Sequence, residues 1–169
     1  MQARIDLNLP KALWTKRDSL VLASNTLASI KIRTSKGLDA NGQSFKAYST
    51  RPIYILRRGA RLKPKGGRLS RTGRSVYYQK GYRQYKHESR KRGQGTPGQS
   101  AEVDLVLSGN MMNNLVVKQA TANGFKIGLT QHADYGYDVN MDREFIGLTD
   151  QEVDLIVKAV EIDLRRKLK

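Results

Sequence analysis

The stretch REFIGLTDQEVDLIVKAVEIDLRRKL at residues 143–168 carries the clearest structural signal in this chain of 169 residues. Thr149 and Glu152 have the spacing of a capping box, in which each side chain accepts a hydrogen bond from the other residue's backbone N–H. Apolar residues then recur at helical intervals, and basic residues cluster at the end, where the helix dipole favours positive charge. The stretch therefore predicts a helix over 150–168.

Outward from this helix, the sequence predicts antiparallel β-structure and one further long helix. Apolar runs on both sides of Ala122-Asn123-Gly124 indicate a hairpin, and alternation of apolar with polar residues indicates other strands. An apolar stripe that follows Pro10 indicates an N-terminal helix. The predicted helices span 10–29 and 150–168, and the predicted strands span 30–36, 44–48, 103–108, 115–121 and 125–130. The predicted fold is α+β, an antiparallel sheet packed by a long N-terminal and a C-terminal helix.

The positive charge is concentrated in the middle of the chain. The net charge is +16, and residues 51–93 contain 15 Lys and Arg against one Glu. Residues 51–75 are also rich in Gly and cannot bury enough apolar surface to fold alone, so they are predicted to be a long basic extended arm. The domain prediction is a single domain over 1–169, with a body at 1–50 and 101–169.

A tyrosine-rich helix is predicted after the arm. Tyr78, Tyr82 and Tyr85 fall at i, i+4 and i+7, so a helix over 74–90 would place them on one face. Such a row is more often part of a core than a platform on which bases stack. The arm and this helix together occupy about 51–93.

No sequence motif indicates an enzyme. The chain has no Cys, which excludes disulfides and thiolate chemistry, and no apolar run long enough to cross a bilayer. The glycines of 93–98 follow a basic cluster instead of a strand, which argues against a dinucleotide site. Residues 138–142 have the first spacings of a calcium loop, but Arg143 replaces the required Gly, so a polar loop is predicted. His132 could act as a general base, but the chain has no recognisable nucleophile motif to accompany it, which argues against a catalytic site there. No catalytic residue, cofactor, metal or small-molecule substrate is expected.

Three segments carry a family resemblance: GLDANGQSFKAYS at 37–49, VDL with LSGNMMNNL at 103–115, and REFIGL at 143–148. Their order and spacing resemble tailed-bacteriophage virion-morphogenesis proteins, the head-tail connector proteins of the neck or tail-completion type. The resemblance covers the segment 30–49 and nearly all of 100–169. The insert at 51–75 departs from the more compact family pattern. The resemblance therefore leaves three positions in the virion open for the subunit: neck, tail terminator and adaptor.

The resemblance implies a structural, non-enzymatic subunit of the virion, made in the host cytoplasm. Copies of the chain would form a ring at the head-to-tail junction, joining portal or adaptor to tail and leaving a channel for DNA. The implied partners are copies of the chain, neighbouring connector, portal and tail proteins, and DNA in the channel, without a membrane.

Two groups of residues are assigned roles. The basic arm is expected to contact partners, mostly carboxylates of neighbouring copies. Bidentate pairs between arginine and carboxylate fix one register, whereas many tight contacts to DNA would have to break each time the DNA moves through the channel. A second group is expected to be structural, with Phe145 buried so that the chain enters the last helix at a fixed angle. The arm residues are Arg51, Arg57, Arg58, Arg61, Lys63, Lys65, Arg68, Arg71 and Arg74, and the structural residues are Arg143, Phe145, Gly147, Leu148, Thr149 and Glu152.

A different class of protein fits the same charge pattern. In this alternative the chain is a small basic nucleic-acid-binding protein whose arm binds the phosphate backbone. The two hypotheses predict different sizes for the protein under native conditions, because a ring former is oligomeric whereas a nucleic-acid binder stays small. They also differ in the salt dependence of binding, since a nucleic-acid binder shows a steep decrease of affinity with salt.

Overall fold

A computed structural model describes residues 2–7, 13–56, 66–88, 103–105 and 109–169. The chain forms two compact units: Met1–Phe45 with Asp104–Lys169, here called the body, and Lys46–Val103, here called the basic unit. The basic unit contains 16 Lys and Arg against 2 Glu, a net charge of +14, whereas the body contains 15 against 13, a net charge of +2. The division into units is therefore also a division of charge.

The fold is α+β, as predicted. In chain order the elements are β1 (Ala3–Asp6), α1 (Lys16–Ser35), β2 (Ile53–Leu56), β3 (Arg68–Leu69), β4 (Ser75–Tyr78), α2 (Gly81–Glu88), α3 (Asn110–Asn113), β5 (Leu115–Thr121), β6 (Gly124–Leu129), a 3-10 turn (Gln131–Ala133), α4 (Tyr135–Asp142) and α5 (Asp150–Lys167). Among these described residues, no helix is both long and apolar enough to span a bilayer.

The body is built on an antiparallel sheet with the strand order β1-β6-β5. The predicted hairpin of β5 and β6 is confirmed, with Leu115 opposite Leu129. Strand β1 was not predicted, and it pairs with β6 along four residues. Gly124 begins β6 with a φ of +148°, and a Cβ there would collide with the backbone of Ile5, so β1 can pair at this point only because the residue is glycine.

Helix α1 packs against β5 and β6, with Ile30 fully buried. It begins after Thr15, whose side chain accepts a hydrogen bond from Asp18 N in a capping box that the sequence analysis missed. Residues 10–12 of the predicted helix 10–29 lie outside the described residues. The helix continues to Ser35, so the prediction of a strand over 30–36 is wrong. Burial of Ile30 and Thr34 on one helical face overrides the local alternation of the sequence.

The second half of the predicted hairpin is also absent, because residues 44–48 form no strand. A short loop replaces it, closed by a single bridge between Leu38 and Ser44. Inside the loop, the Asp39 carboxylate accepts hydrogen bonds from Asn41 N and Gln43 N, both at 2.8 Å. Turn chemistry therefore outweighs strand propensity here. Of the predicted strand 103–108, residues 103–105 form no strand and 106–108 lie outside the described residues.

Helix α5 runs antiparallel to α1, and an ion pair lies near each end of the contact. At one end Arg33 binds Glu152 with a distance of 3.0 Å, and at the other Lys167 Nζ lies 2.6 Å from Asp18 Oδ2. The predicted helix over 150–168 is confirmed, together with the capping box of Thr149 and Glu152.

The basic unit contains a second antiparallel sheet, with the strand order β2-β4-β3. Within the described part of the predicted arm, β2, β3 and the first residue of β4 are strand and the rest is turn or irregular structure. The predicted helix over 74–90 is shorter, since 75–78 form strand β4 and helix α2 begins at Gly81. Gly81 has a φ of +65° and lies close to the backbone of Ser49 and Arg51, which leaves no room for a Cβ. Residues 57–65 and 89–102 lie outside the described residues.

Candidate functional site

A buried arginine joins the segment 143–148 to both long helices. Arg33 Nη2 donates hydrogen bonds to the carbonyl oxygens of Phe145 and Gly147, and Arg33 Nη1 donates to Glu152 Oε2, each at 3.0 Å. Burial lowers the pKa of the Arg33 guanidinium, while the Glu152 carboxylate opposes that shift. An arginine remains charged at any pH at which proteins fold, so the buried guanidinium keeps its positive charge.

Asn140 fixes the same segment from the other side. Its Oδ1 accepts hydrogen bonds from Phe145 N at 2.9 Å and from Ile146 N at 2.7 Å. Both apolar side chains are buried, Phe145 completely, as the sequence analysis expected. The backbone of this segment is thus bonded on its N–H side by Asn140 and on its C=O side by Arg33.

Two of the three segments that carry the family resemblance meet at this junction. Ala40 N donates a hydrogen bond to Glu144 O at 2.7 Å, which joins the loop of 37–49 to REFIGL. Gly147 lies against the Ala40 side chain, too close for a Cβ at position 147 without a shift. In the third segment, Met111, Met112 and Leu115 are buried. The described parts of these segments that lie in the body thus contribute several buried residues to its core.

The sequence analysis missed Arg33 and Asn140. Arg33 was assigned to an alternating strand, and Asn140 to a polar loop at 138–142 that is in fact the end of helix α4. Successive odd or even positions on a helix point about 200° apart, so residues 138, 140 and 142 do not converge on a cation. The one available signal was the capping box at Thr149 and Glu152, because a buried carboxylate requires a cationic partner somewhere in the chain.

Only part of the predicted basic arm can be placed. Arg51, Arg68, Arg71 and Arg74 are exposed in the basic unit. The other five predicted contact residues, Arg57, Arg58, Arg61, Lys63 and Lys65, lie outside the described residues, so the prediction for them stays a prediction.

The predicted tyrosine row exists as a cluster contributed by several elements. Tyr78 lies on β4 and is buried, and its ring centroid is 5.3 Å from that of Tyr85 on α2. Tyr82 lies 5.8 Å from Tyr85 and 5.1 Å from Tyr48, and the Lys86 ammonium lies 4.7 Å from the Tyr48 ring centroid. These rings pack between strand and helix, which is the core role and not that of a stacking platform.

A second pair of tyrosines lies on the opposite face of the sheet. Tyr54 on β2 is paired in register with Tyr77 on β4, and their ring centroids are 5.0 Å apart at an interplanar angle of 44°. Arg68 on β3 is in register with Tyr77 on its other side. The Tyr54 side chain is 67% exposed. Two aromatic rings and an arginine therefore form one row across three strands, in which Tyr54 and Arg68 are exposed and Tyr77 is half-buried.

Exposed apolar side chains lie on the outer faces of the two long helices of the body. On α5, Leu155 and Ile162 are 63% and 68% exposed and lie seven residues apart, on the side away from the buried Val160. On α1, Val21 and Ile32 are also exposed and share one face, because eleven residues make about three turns.

Catalytic geometry is not found in the described part of the chain. His132 is exposed in the 3-10 turn, and its carbonyl accepts a hydrogen bond from Asn110 Nδ2. Within the described ranges, no group of three or more His, Asp or Glu side chains is placed to hold a metal ion. The glycines of 93–98 lie outside those ranges.

Comparison with protein-family models, with curated proteins and with solved structures yields no match to this chain.

Proposed function

We propose that this chain is a structural subunit of a tailed-phage virion and forms a ring at the head-to-tail junction, where it joins portal or adaptor to tail around a DNA channel. Its partners in this role are copies of itself and the adjoining connector, portal and tail proteins. The protein is made in the host cytoplasm and functions in the virion without catalysis.

The observation that carries the proposal is the presence of exposed apolar side chains on both α1 and α5. A single exposed Leu or Ile is common on a monomer, whereas exposed apolar side chains on the outer faces of both long helices provide surface that an assembly would cover. Leu155 and Ile162 lie on the outer side of α5, and Val21 and Ile32 on the outer side of α1. A ring subunit needs two such surfaces, because each copy contacts one neighbour on each side.

The resemblance of three segments to neck and tail-completion proteins is the reason why we propose this assembly and not another. Two of these segments, 37–49 and 143–148, meet at the junction around Arg33 and Asn140, where Arg33 of α1 is paired with Glu152 of α5. A rigid junction suits a subunit whose two outer helix faces must both meet a neighbour.

The size of the purified chain tests this proposal. Native mass spectrometry and negative-stain images are expected to show a closed oligomer. A double variant, Leu155→Glu with Ile162→Glu, is expected to remain monomeric, because it would bury charge at the contact without a partner. Asn123→Glu, in the exposed turn of the β5–β6 hairpin, adds a charge elsewhere in the body and is the matched control.

Two outcomes would argue against this account in different ways. A wild-type chain that stays monomeric, alone and with portal or tail proteins, contradicts the ring. A double variant that assembles like the wild type leaves the ring in place but contradicts the use of this face of α5.

A further inference from the structure

The solvent face of the basic unit's sheet has a composition that the ring does not explain. Residues directly opposite each other on antiparallel strands lie on the same face, so Tyr54, Tyr77 and Arg68 share one. The alternate residues of β4, Val76 and Tyr78, are buried on the other face. The open face thus carries aromatic rings and a cation where a solvated sheet usually carries small or mixed polar residues.

The exposed charge of the basic unit is almost entirely positive. The described exposed cations of the basic unit include Arg51, Arg71, Arg74, Lys80 and Arg83. Only two residues between Lys46 and Val103 are acidic, Glu88 and Glu102. A surface of this kind attracts a ligand with closely spaced negative charges.

The charge balance favours nucleic acid over a second copy of this chain. A neighbouring copy carries a net charge of +16, and even its body carries +2, so two copies repel each other at long range. A nucleic-acid strand carries one phosphate per nucleotide and binds by releasing its counterions. The earlier expectation that the arm mostly contacts neighbouring copies therefore does not extend to this face.

The tyrosine rings on this face favour unpaired bases over a duplex. In a duplex the bases present only their edges, whereas in a single strand each base has a free π-face that stacks on a tyrosine ring. Tyr54 and Tyr77 are held side by side on a sheet, with Arg68 next to them in register. Flat sheets with exposed aromatic residues bind single strands in this way.

We propose that the solvent face of the β2-β4-β3 sheet binds an unpaired stretch of nucleic acid, with bases stacked on Tyr54 and Tyr77 and a phosphate neutralised by Arg68. This inference does not depend on the ring, because all three residues belong to one copy. A monomeric chain would bind in the same way.

Binding of a labelled oligothymidine to the full-length chain, followed by fluorescence anisotropy, tests the site. Tyr54→Ala is expected to weaken binding about ten-fold, because stacking of one base on an aromatic ring is lost. Tyr54→Phe keeps the ring and is expected to bind within about two-fold of the wild type, since the face of the ring is what stacks. Tyr135→Ala removes an exposed tyrosine from the body and is the matched control.

Salt dependence separates the roles of the rings and the arginine. Arg68→Gln is expected to reduce the slope of log affinity against log salt by about 0.7, the value for one phosphate contact on a single strand. Arg17→Gln, on the exposed side of α1, removes the same charge from the body and should leave the slope unchanged. Tyr54→Ala should lower the affinity without changing the slope.

Three results would overturn the proposal. The first is equal binding by the wild type, Tyr54→Ala and Tyr77→Ala. The second is a duplex of the same length that binds as tightly as the single strand, which would indicate phosphate contacts alone. The third is polyglutamate that competes as well as oligothymidine, which would indicate an acidic protein partner.

Tyr54→Trp is a control for folding defects. It keeps an aromatic ring at position 54 and should bind at least as tightly as the wild type, because the larger ring stacks on a base.

Discussion

Asn140 and Arg33 illustrate how single polar side chains can hold a backbone segment in place. The segment at 145–147 has no strand partner, so its buried N–H and C=O groups need side chains as partners. Asn140 accepts from two N–H groups, and Arg33 donates to two C=O groups. Burying Phe145 and Ile146 is compatible with hydrogen bonding only because both side chains are present.

Replacement of Asn140 tests this role. Asn140→Ala leaves Phe145 N and Ile146 N buried without their acceptor, and an unsatisfied buried donor costs about 1–3 kcal/mol. We expect the free energy of unfolding to fall by about 3 kcal/mol in urea titration. Asn123→Ala, at an exposed turn, should change it by less than about 0.5 kcal/mol. An Asn140→Ala chain as stable as that control would mean that other groups or water take over both bonds.

These residue roles could not be predicted from sequence, because the partners are far apart along the chain. Arg33 and Glu152 are separated by 119 positions, and no local pattern links them. The same holds for Tyr54 and Tyr77, which become neighbours only through strand register. The burial of Phe145, in contrast, was predicted, because it lies beside a strong helix start at Thr149.

At the scale of elements, predictions succeeded where the signal was local. The capping box before α5 and the turn between β5 and β6 are complete within a few residues, and both elements lie where expected. The strand predicted over 30–36 failed because its alternation spans few residues and α1 gains more by burying Ile30 on the sheet. The tyrosine spacing at 78–85 suggested one helix, but Tyr78 belongs to a strand that packs against that helix.

The ion pair near the end of α5 makes the stability of the body depend on pH. A hydrogen bond from Lys167, together with those from Thr15, lowers the pKa of Asp18 to about 2. Because the pKa is lower in the folded state than the ordinary value of 3.8, the pair stabilises the protein above about pH 4. This contribution decreases as the pH falls from about 4 to about 2, where the carboxylate takes up its proton in the folded state as well.

Asp18→Asn is therefore expected to be less stable than the wild type at pH 6, and the difference should shrink between pH 4 and pH 2. Thermal unfolding followed by circular dichroism at a series of pH values measures it. Asp142→Asn, on the exposed end of α4, accounts for the general effect of removing one carboxylate. A difference between wild type and Asp18→Asn that is constant from pH 6 to pH 2 would show that the carboxylate charge has no role.

At the scale of the whole molecule, nearly all of the net charge lies in one of two compact units. The body has the larger core, with the lone tryptophan Trp14 buried in it, and a nearly balanced charge. The basic unit has a smaller sheet and a net charge of +14. Net charge of one sign destabilises a compact state through repulsion, so the basic unit should depend on ionic conditions much more strongly than the body.

Salt is therefore expected to stabilise the two units unequally. Raising the ionic strength from about 0.01 M to about 0.15 M shortens the Debye length from about 30 Å to about 8 Å and screens the repulsion between cations of the basic unit. Hydrogen exchange measured on peptides from Ser75–Tyr78 and Gly81–Glu88 should slow markedly over this range. The midpoint of thermal unfolding reported by Trp14 emission should change little, because that residue lies in the body. If both units respond equally, the repulsion is shared or already neutralised. Oligothymidine added at low salt should slow the same peptides as added salt does, because phosphates reduce the same repulsion and the proposed stacking site exists only in the folded sheet.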